Sequence, residues 1–264
     1  MIEVVTSCSA KGYAQYGRRC VESFLKYWSD ATLYVVSEDT LDVPAPAVFM
    51  PLALHEAGVR FLAKHAHNLT AQGRVNFAGS TGWTPRKLAQ GYNFRYDAFR
   101  FSKKLFAIEL VARQSPDGPL IWLDADVVTF ASPPPGALAQ LLPSGLALSC
   151  LDRGSYHSEC GFVGYNLAHP KTRGFIADLT QLYTKEQVFK LEQWHDSWVF
   201  DWLRRKNNIP THAIPHKSRS HPFVNSELGR FMDHAKGNRK SAAGGRTSCG
   251  ELVVNRDLPY WGGR

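Results

Sequence analysis

The sequence predicts an α/β fold with a mostly parallel central sheet, and three observations carry that prediction. The first forty residues read strand, helix, strand; a long amphipathic segment feeds a buried apolar strand at Leu120–Leu123; and strands and helices then alternate to about residue 205. Glu3 to Ser7 is a short β-branched run, and Gly12 and Gly17 punctuate the stretch that follows. From Arg18 to Trp28, Cys20, Val21, Phe24, Leu25 and Trp28 fall at helical spacing, and Thr32 to Ser37 reads as a second buried strand.

Pro44, Pro46 and Pro51 then break the pattern, and residues 54–94 read as a polar, Gly-rich insertion of loops and one short helix. Tyr96 to Arg113 reads as a helix with Phe99, Leu105, Phe106, Ile108, Leu110 and Val111 on its apolar face. Pro133-Pro134-Pro135-Gly136 is a turn into a short helix that ends near Pro143. Leu146 to Leu151 and Gly161 to Leu167 read as strands, and Pro170 to Thr184 and Trp194 to Arg205 as helices. Beyond Pro210 the chain reads as irregular. No internal repeat is visible, so residues 1–264 are expected to form a single domain.

With 264 residues and 44% hydrophobic side chains the chain can bury a full core. Met1 leads directly into an apolar strand, and no apolar run approaches the roughly 20 residues of a membrane span, so a soluble protein of the cytoplasm, bacterial or of a phage-infected host, is expected. The five cysteines are scattered, none in a C-x-x-C pair, which argues for reduced thiols rather than a disulfide framework or a cysteine zinc site. Net charge is +8. Ten Lys/Arg against Glu227 and Asp233 between residues 202 and 246 account for all of it, a positive field suited to phosphate on a donor or on an anionic acceptor. A solvated basic surface is the plain alternative.

The chemistry concentrates in two places. Leu120-Ile121-Trp122-Leu123 ends in Asp124-Ala125-Asp126, which puts two carboxylates at the mouth of a core strand. Such hard oxygen ligands hold Mg²⁺ or Mn²⁺ against a diphosphate, and ligands of open α/β sheets sit at that end of the strands. A turn whose Asp side chains cap backbone amides would look the same in sequence. Far downstream, Asp233-His234-Ala235-Lys236-Gly237-Asn238-Arg239-Lys240 contains H-x-x-G-x-x-K. Its imidazole can complete a metal shell, Gly237 permits close backbone approach, and Lys240 can neutralise a leaving phosphate.

These two motifs together resemble the GT-A fold (Rossmann-like) of nucleotide-diphospho-sugar transferases, in particular the retaining, metal-dependent type related to glycogenin and galactosyltransferases. The resemblance implies that Asp124, Asp126 and His234 ligate Mn²⁺ or Mg²⁺ and that Gly237 and Lys240 meet the donor diphosphate. It further implies a nucleoside edge at Thr6, Ser7 and Cys8 with Glu38 or Asp39, and donor contacts from Arg100 and Lys103. Gly161 to Asn166 resembles the strand beneath the sugar, and Trp194-His195-Asp196-Ser197 resembles a helix start whose acid lies near the anomeric carbon. The segment Ser158 to Tyr165, with Trp194-His195-Asp196 and Asp233-His234, is also similar to small transferases of phage and bacterial genomes.

Other roles remain open for several of these residues. Asp196 also suits a helix N-cap. Asp152 and Glu159 are the candidate general bases if the reaction inverts, or simple loop acids. Trp194, Trp198 and Trp202 read as core packing, and His195, His216 and His221 as surface residues. The expected activity is transfer from a nucleotide sugar, a UDP-sugar first, to an acceptor hydroxyl. That hydroxyl belongs either to a hydroxylated base in DNA or to a lipid-linked or polysaccharide glycan. A Mg²⁺-dependent nucleotidyltransferase is the competing enzyme class, although Ser9-Ala10-Lys11-Gly12 is a poor phosphate loop. A basic nucleic-acid-binding module is the competing non-enzymatic class.

Overall fold

The computed structural model describes residues 2–74, 91–219 and 221–235. Its centre is a seven-stranded sheet of order β3-β2-β1-β4-β7-β6-β8. The strands are β1 (Ile2–Ser7), β2 (Ala31–Ser37), β3 (Val48–Pro51), β4 (Pro119–Leu123), β6 (Leu148–Leu151), β7 (Glu159–Asn166) and β8 (Thr211–Ala213). Four of the pairings are parallel, and only β7 runs against its two neighbours. The predicted α/β architecture with a mostly parallel sheet is therefore present.

Strand period decides which helices cover which face. Val5, Leu120 and Trp122 point into one core with α2 (Glu56–His65), α3 (Ala98–Gln114), α5 (Thr172–Thr184) and α6 (Asp196–Lys206). Val4, Ile121 and Leu123 point into the other, against α1 (Arg18–Tyr27), α4 (Ala137–Leu141) and the segment Ile214 to Met232. Buried on both faces, β4 and β7 can only present chemistry at their ends. Trp194 lies in the first core, with Trp198 and Trp202 packed against it, as expected from their spacing.

Several elements depart from the sequence reading. β3 lies where Pro44, Pro46 and Pro51 predict a break in regular structure; it is an edge strand, which leaves Pro51 no inner ladder bond to supply. The segment beyond Pro210 is not wholly irregular. It contributes β8 at the opposite sheet edge and β9 (Met232–His234), which pairs antiparallel with β5 (Val127–Thr129) just after the acidic triplet. Three-residue strands are too short to show a period, which is why they are invisible in sequence. The predicted insertion contains α2, and residues 75–90 lie outside the described residues. So do residues 236–264, with Gly237, Lys240 and Cys249. Cys8, Cys20, Cys150 and Cys160 are free thiols. Among the described residues no helix is long and apolar enough to cross a membrane.

Candidate functional site

A cavity of about 810 Å³ opens along one end of the sheet, a size suited to a small-molecule ligand. Its lining follows the sheet order. Glu38 comes after β2, Ser7 to Ser9 after β1, Asp124 to Asp126 after β4, and Glu159 to Gly161 from the start of β7.

The acidic triplet is a turn between β4 and β5, closed by the Val127 amide donating to the Asp124 carbonyl at 2.9 Å. The Asp124 carboxylate, however, is not a backbone cap. Its Oδ1 accepts from Trp122 Nε1 at 2.7 Å and from Lys104 Nζ at 3.2 Å, which turns Oδ2 toward His234 Nε2, 3.5 Å away. The β5–β9 register sets Val127 opposite His234, and Asp126 Oδ1 lies 2.9 Å from the same Nε2. Asp124, Asp126 and His234 thus each offer one ligand atom, all within 4.8 Å of one another. Two hard oxygens and an imidazole form a donor set that fits Mn²⁺ or Mg²⁺.

Glu159, a candidate base from sequence, stands behind that set. Its Oε1 lies 3.1 Å from His234 Nδ1 and accepts from the Gly161 amide at 3.1 Å. A carboxylate on Nδ1 fixes the ring orientation and leaves Nε2 facing the two aspartates. Gly161 is required as glycine: a Cβ there would lie 2.4 Å from His234 Nδ1. The geometry therefore suits Glu159 to holding His234 rather than to taking a proton from an acceptor.

Lys104 was not among the residues singled out from sequence. Asp97 caps α3 by accepting from the Arg100 amide, and Arg100, Lys103 and Lys104 then fall at i, i+3 and i+4 on one helix face. That spacing was the available signal. Lys104 Nζ reaches Asp124 Oδ1, Asp196 Oδ2 at 2.8 Å and the Cys160 carbonyl at 2.6 Å, one acceptor for each of its protons. Burial works against the ammonium, but the two carboxylates more than offset it and hold its pKa above the usual lysine value. For Asp196, burial pushes the carboxyl up while Lys104 pulls it further down, so the group stays ionised.

Asp196 is the first residue of α6; His195 occupies the N-cap position, so the capping role is not its own. His195 is buried at 3% exposure and lines the cavity, contrary to a surface assignment. Burial lowers its pKa to about 4, so it is neutral at pH 7. Its only sequence signal was adjacency to Asp196.

The remaining expected residues divide. Ser7, Arg100 and Lys103 line the cavity, Lys103 with Glu38 at 2.6 Å. Asp39 does not: its Oδ2 accepts from the Ala10 amide at 2.6 Å, and Glu38 faces the cavity instead. Thr6 points into the core at 1% exposure because strand alternation sends it away from Ser7. Asp152 is ion-paired with Arg204 and accepts from the Gly154 amide, off the cavity wall, so it is no candidate base at this site. That pairing also corrects the basic field. Arg204 and Arg205 meet Asp201, which lies outside the window counted from sequence, and Arg230 meets Glu227.

Replacing Lys104 by Met leaves Asp124 and Asp196 without their shared cation. The expected loss is about 3–5 kcal/mol of unfolding free energy, read by urea denaturation in EDTA, and Lys104→Met combined with Asp196→Leu recovers part of it. Because the Asp196 carboxyl is depressed in the folded chain, its contribution in the unsubstituted protein is complete above the ordinary value of 3.8. It is lost as the pH falls through the lower folded value. An unchanged midpoint in Lys104→Met would show that the ion pairs contribute nothing.

No protein-family model matches the chain, and no curated protein matches it. Solved structures with some likeness include mouse xyloside xylosyltransferase 1, at 13% identity and a TM-score of 0.48, covering 90% of this chain and 97% of that one. The glycosyltransferase GlyE of Streptococcus pneumoniae TIGR4 aligns at 15% identity and TM-score 0.41, covering 80% of this chain and 45% of that one. The galactosyltransferase LgtC with donor and acceptor sugar analogues aligns at 16% identity and TM-score 0.40, covering 77% and 69%. At these identities and scores the likenesses assign neither a family nor an activity to this chain.

Proposed function

We propose that the chain is a metal-dependent glycosyltransferase that moves a sugar from a nucleotide-diphosphate sugar, a UDP-sugar first, to an acceptor hydroxyl with retention. One observation carries the reading: Asp124, Asp126 and His234, brought from distant segments, converge beside the Lys104–Asp196 pair in a cavity at the strand ends. A metal-free phosphate site would not place two acids at its centre, since they repel phosphate.

Asp124, Asp126 and His234 would hold Mn²⁺ or Mg²⁺, which supplies positive charge to the departing diphosphate. Around it the chain's own residues divide the work. Ser7 and Glu38 meet the nucleoside, where the carboxylate accepts from ribose hydroxyls, and Arg100 meets the diphosphate. Gly237 and Lys240 keep the diphosphate role that the motif implies. Asp196, held ionised and oriented by Lys104, faces the sugar and stabilises positive charge developing at the anomeric carbon. The bond from anomeric carbon to diphosphate oxygen breaks with its electron pair leaving on the diphosphate. The acceptor oxygen bonds to the same carbon, and its proton passes to the released diphosphate. Of the two candidate bases for inversion, Asp152 is paired with Arg204 and Glu159 with His234, which supports the retaining reading.

Of the acceptor classes, a hydroxylated DNA base is the weaker, because Arg204, Arg205 and Arg230 are paired with acids. Against the nucleotidyltransferase alternative, the segment after β1 forms no glycine-rich loop: Ser9 caps a helical turn by accepting from the Gly12 amide.

A thermal-shift screen of nucleotide sugars tests the donor. A UDP-sugar is expected to raise the midpoint with Mn²⁺ and not without it, and Asp126→Asn to abolish the shift; no shift with any nucleotide sugar overturns the reading. Anomeric NMR of the product checks retention independently, and an inverted configuration would sink it. Glu159→Leu is expected to weaken Mn²⁺ binding by about 10–100-fold in a direct titration of the donor-free protein. Glu159→Gln, which can still accept from His234 Nδ1, keeps most of the affinity.

A further inference from the structure

The cavity continues past the metal ligands to a part that the donor reading leaves unused. This end is formed by Arg153 and His157 from the β6–β7 connection, His195 at the start of α6, Phe94 in the helical turn before α3, and Phe101 in the first turn of α3. Among the described residues four cations line the cavity, and two of them are ion-paired. Lys103 pairs with Glu38 and Lys104 with Asp124 and Asp196, while for Arg100, which the donor reading uses, burial is outweighed by Tyr92 and Asp97 beside it, which hold its pKa up.

Arg153 differs. Its Nε donates to the His157 carbonyl at 2.5 Å, and no described carboxylate forms an ion pair with it. The acid that acts on it through space, Asp201, is already taken: it accepts from the Ser158 amide and hydroxyl, each at 2.8 Å, and from Arg204 Nε at 2.6 Å. Burial accordingly pushes the Arg153 guanidinium down from its usual value, the mark of a half-buried cation short of compensating charge.

The walls around it are aromatic rings, neutral and set at 59–69° to the His195 ring. The His195 ring centroid lies 5.1 Å from Phe94, 5.9 Å from Phe101 and 5.0 Å from His157. Burial lowers both histidines, so neither supplies a second cation at neutral pH. Phe94 and Phe101, partly exposed, give this end the apolar area against which a sugar ring can pack.

We propose that this end is the acceptor subsite and that it takes a saccharide bearing an anionic substituent, a carboxylate or a phosphate, on the ring that enters. Arg153 pairs with the anion through its two terminal nitrogens, which lie at the end of the guanidinium that Nε leaves uncommitted. The Phe94, Phe101 and His195 side chains pack the ring, and the acceptor hydroxyl then faces Asp196, the neighbour of His195 on the same wall. The subsite rests on the glycosyltransferase reading, since it is the reacting sugar that makes it an acceptor site.

The test uses the full chain loaded with UDP and Mn²⁺, titrated by calorimetry or ligand-observed NMR. The probes are methyl β-glucuronide, glucose 6-phosphate and neutral methyl β-glucoside. One or both anionic probes are expected to bind about tenfold or more tightly than the neutral one, and which of them does so separates carboxylate from phosphate. Arg153→Gln is expected to erase that preference and Arg153→Lys to keep part of it, with UDP affinity unchanged in both. Equal binding of the three probes, no binding of either anionic probe, or an intact preference in Arg153→Gln overturns the subsite. The chain is loaded with the nucleoside diphosphate of whichever nucleotide sugar raises the midpoint, UDP first; if none does, the glycosyltransferase reading fails and the subsite with it.

Discussion

Three residue pairs between β5 and β9 hold the site together. Asp126 and His234 are 108 positions apart, and no helix or long strand connects their surroundings directly. The ladder of Val127 with His234, Val128 with Asp233 and Thr129 with Met232 places the imidazole, and the Ala235 amide donating to the Asp126 carbonyl extends it by one bond. A shift of one residue would turn His234 to the opposite face and remove it from the aspartates. What protects so short a ladder is burial: Met232, Asp233 and His234 are at most 5% exposed, and Phe231 and Met232 anchor in the core beneath α1.

The charge balance at the same place follows from that closeness. Asp124, Asp126, Glu159 and Asp196 crowd one end of the sheet, and Lys104 is the cation that threads between two of them. Its position is economical in a physical sense, because each ammonium proton is used and the aliphatic stem packs its head 4.8 Å from the Trp122 ring. The two ion pairs and the hydrogen bond to the Cys160 carbonyl tie the end of β4, the start of α6 and the start of β7 to the second turn of α3. The geometry of the carboxylates is thereby set by a rigid helix and not by the loops that carry them.

Much of this was legible in the sequence, and the failures have physical causes. The parallel sheet followed from period and order, and the acidic triplet stood out because an apolar strand ran into it. His234 was found through its company, but its link to Asp126 rests on a three-residue strand that carries no pattern. Lys104 was readable from its i+4 offset to Arg100, whereas Arg153 and His195 owe their places to tertiary packing that spacing does not encode. Asp152 faces Arg204 across the fold, which spacing along the chain does not encode, whereas the basic window simply began one residue after Asp201, the i,i+3 partner of Arg204 on α6.

The reversed direction of β7 has a consequence for how such a cavity can change. On the β1, β2 and β4 side the walls are strand exits. The exits of β1 and β2 each lead into a crossover to a parallel neighbour, so a longer connection there must move what packs on the sheet. On the other side the wall is a strand entrance, because β7 runs antiparallel, and the β6–β7 connection merely closes a hairpin. A hairpin loop can gain, lose or exchange residues while both its strands keep register. The cavity therefore has one conservative half, bound to the architecture, and one half free to be rewritten, and the residues from Arg153 to His157 belong to the second.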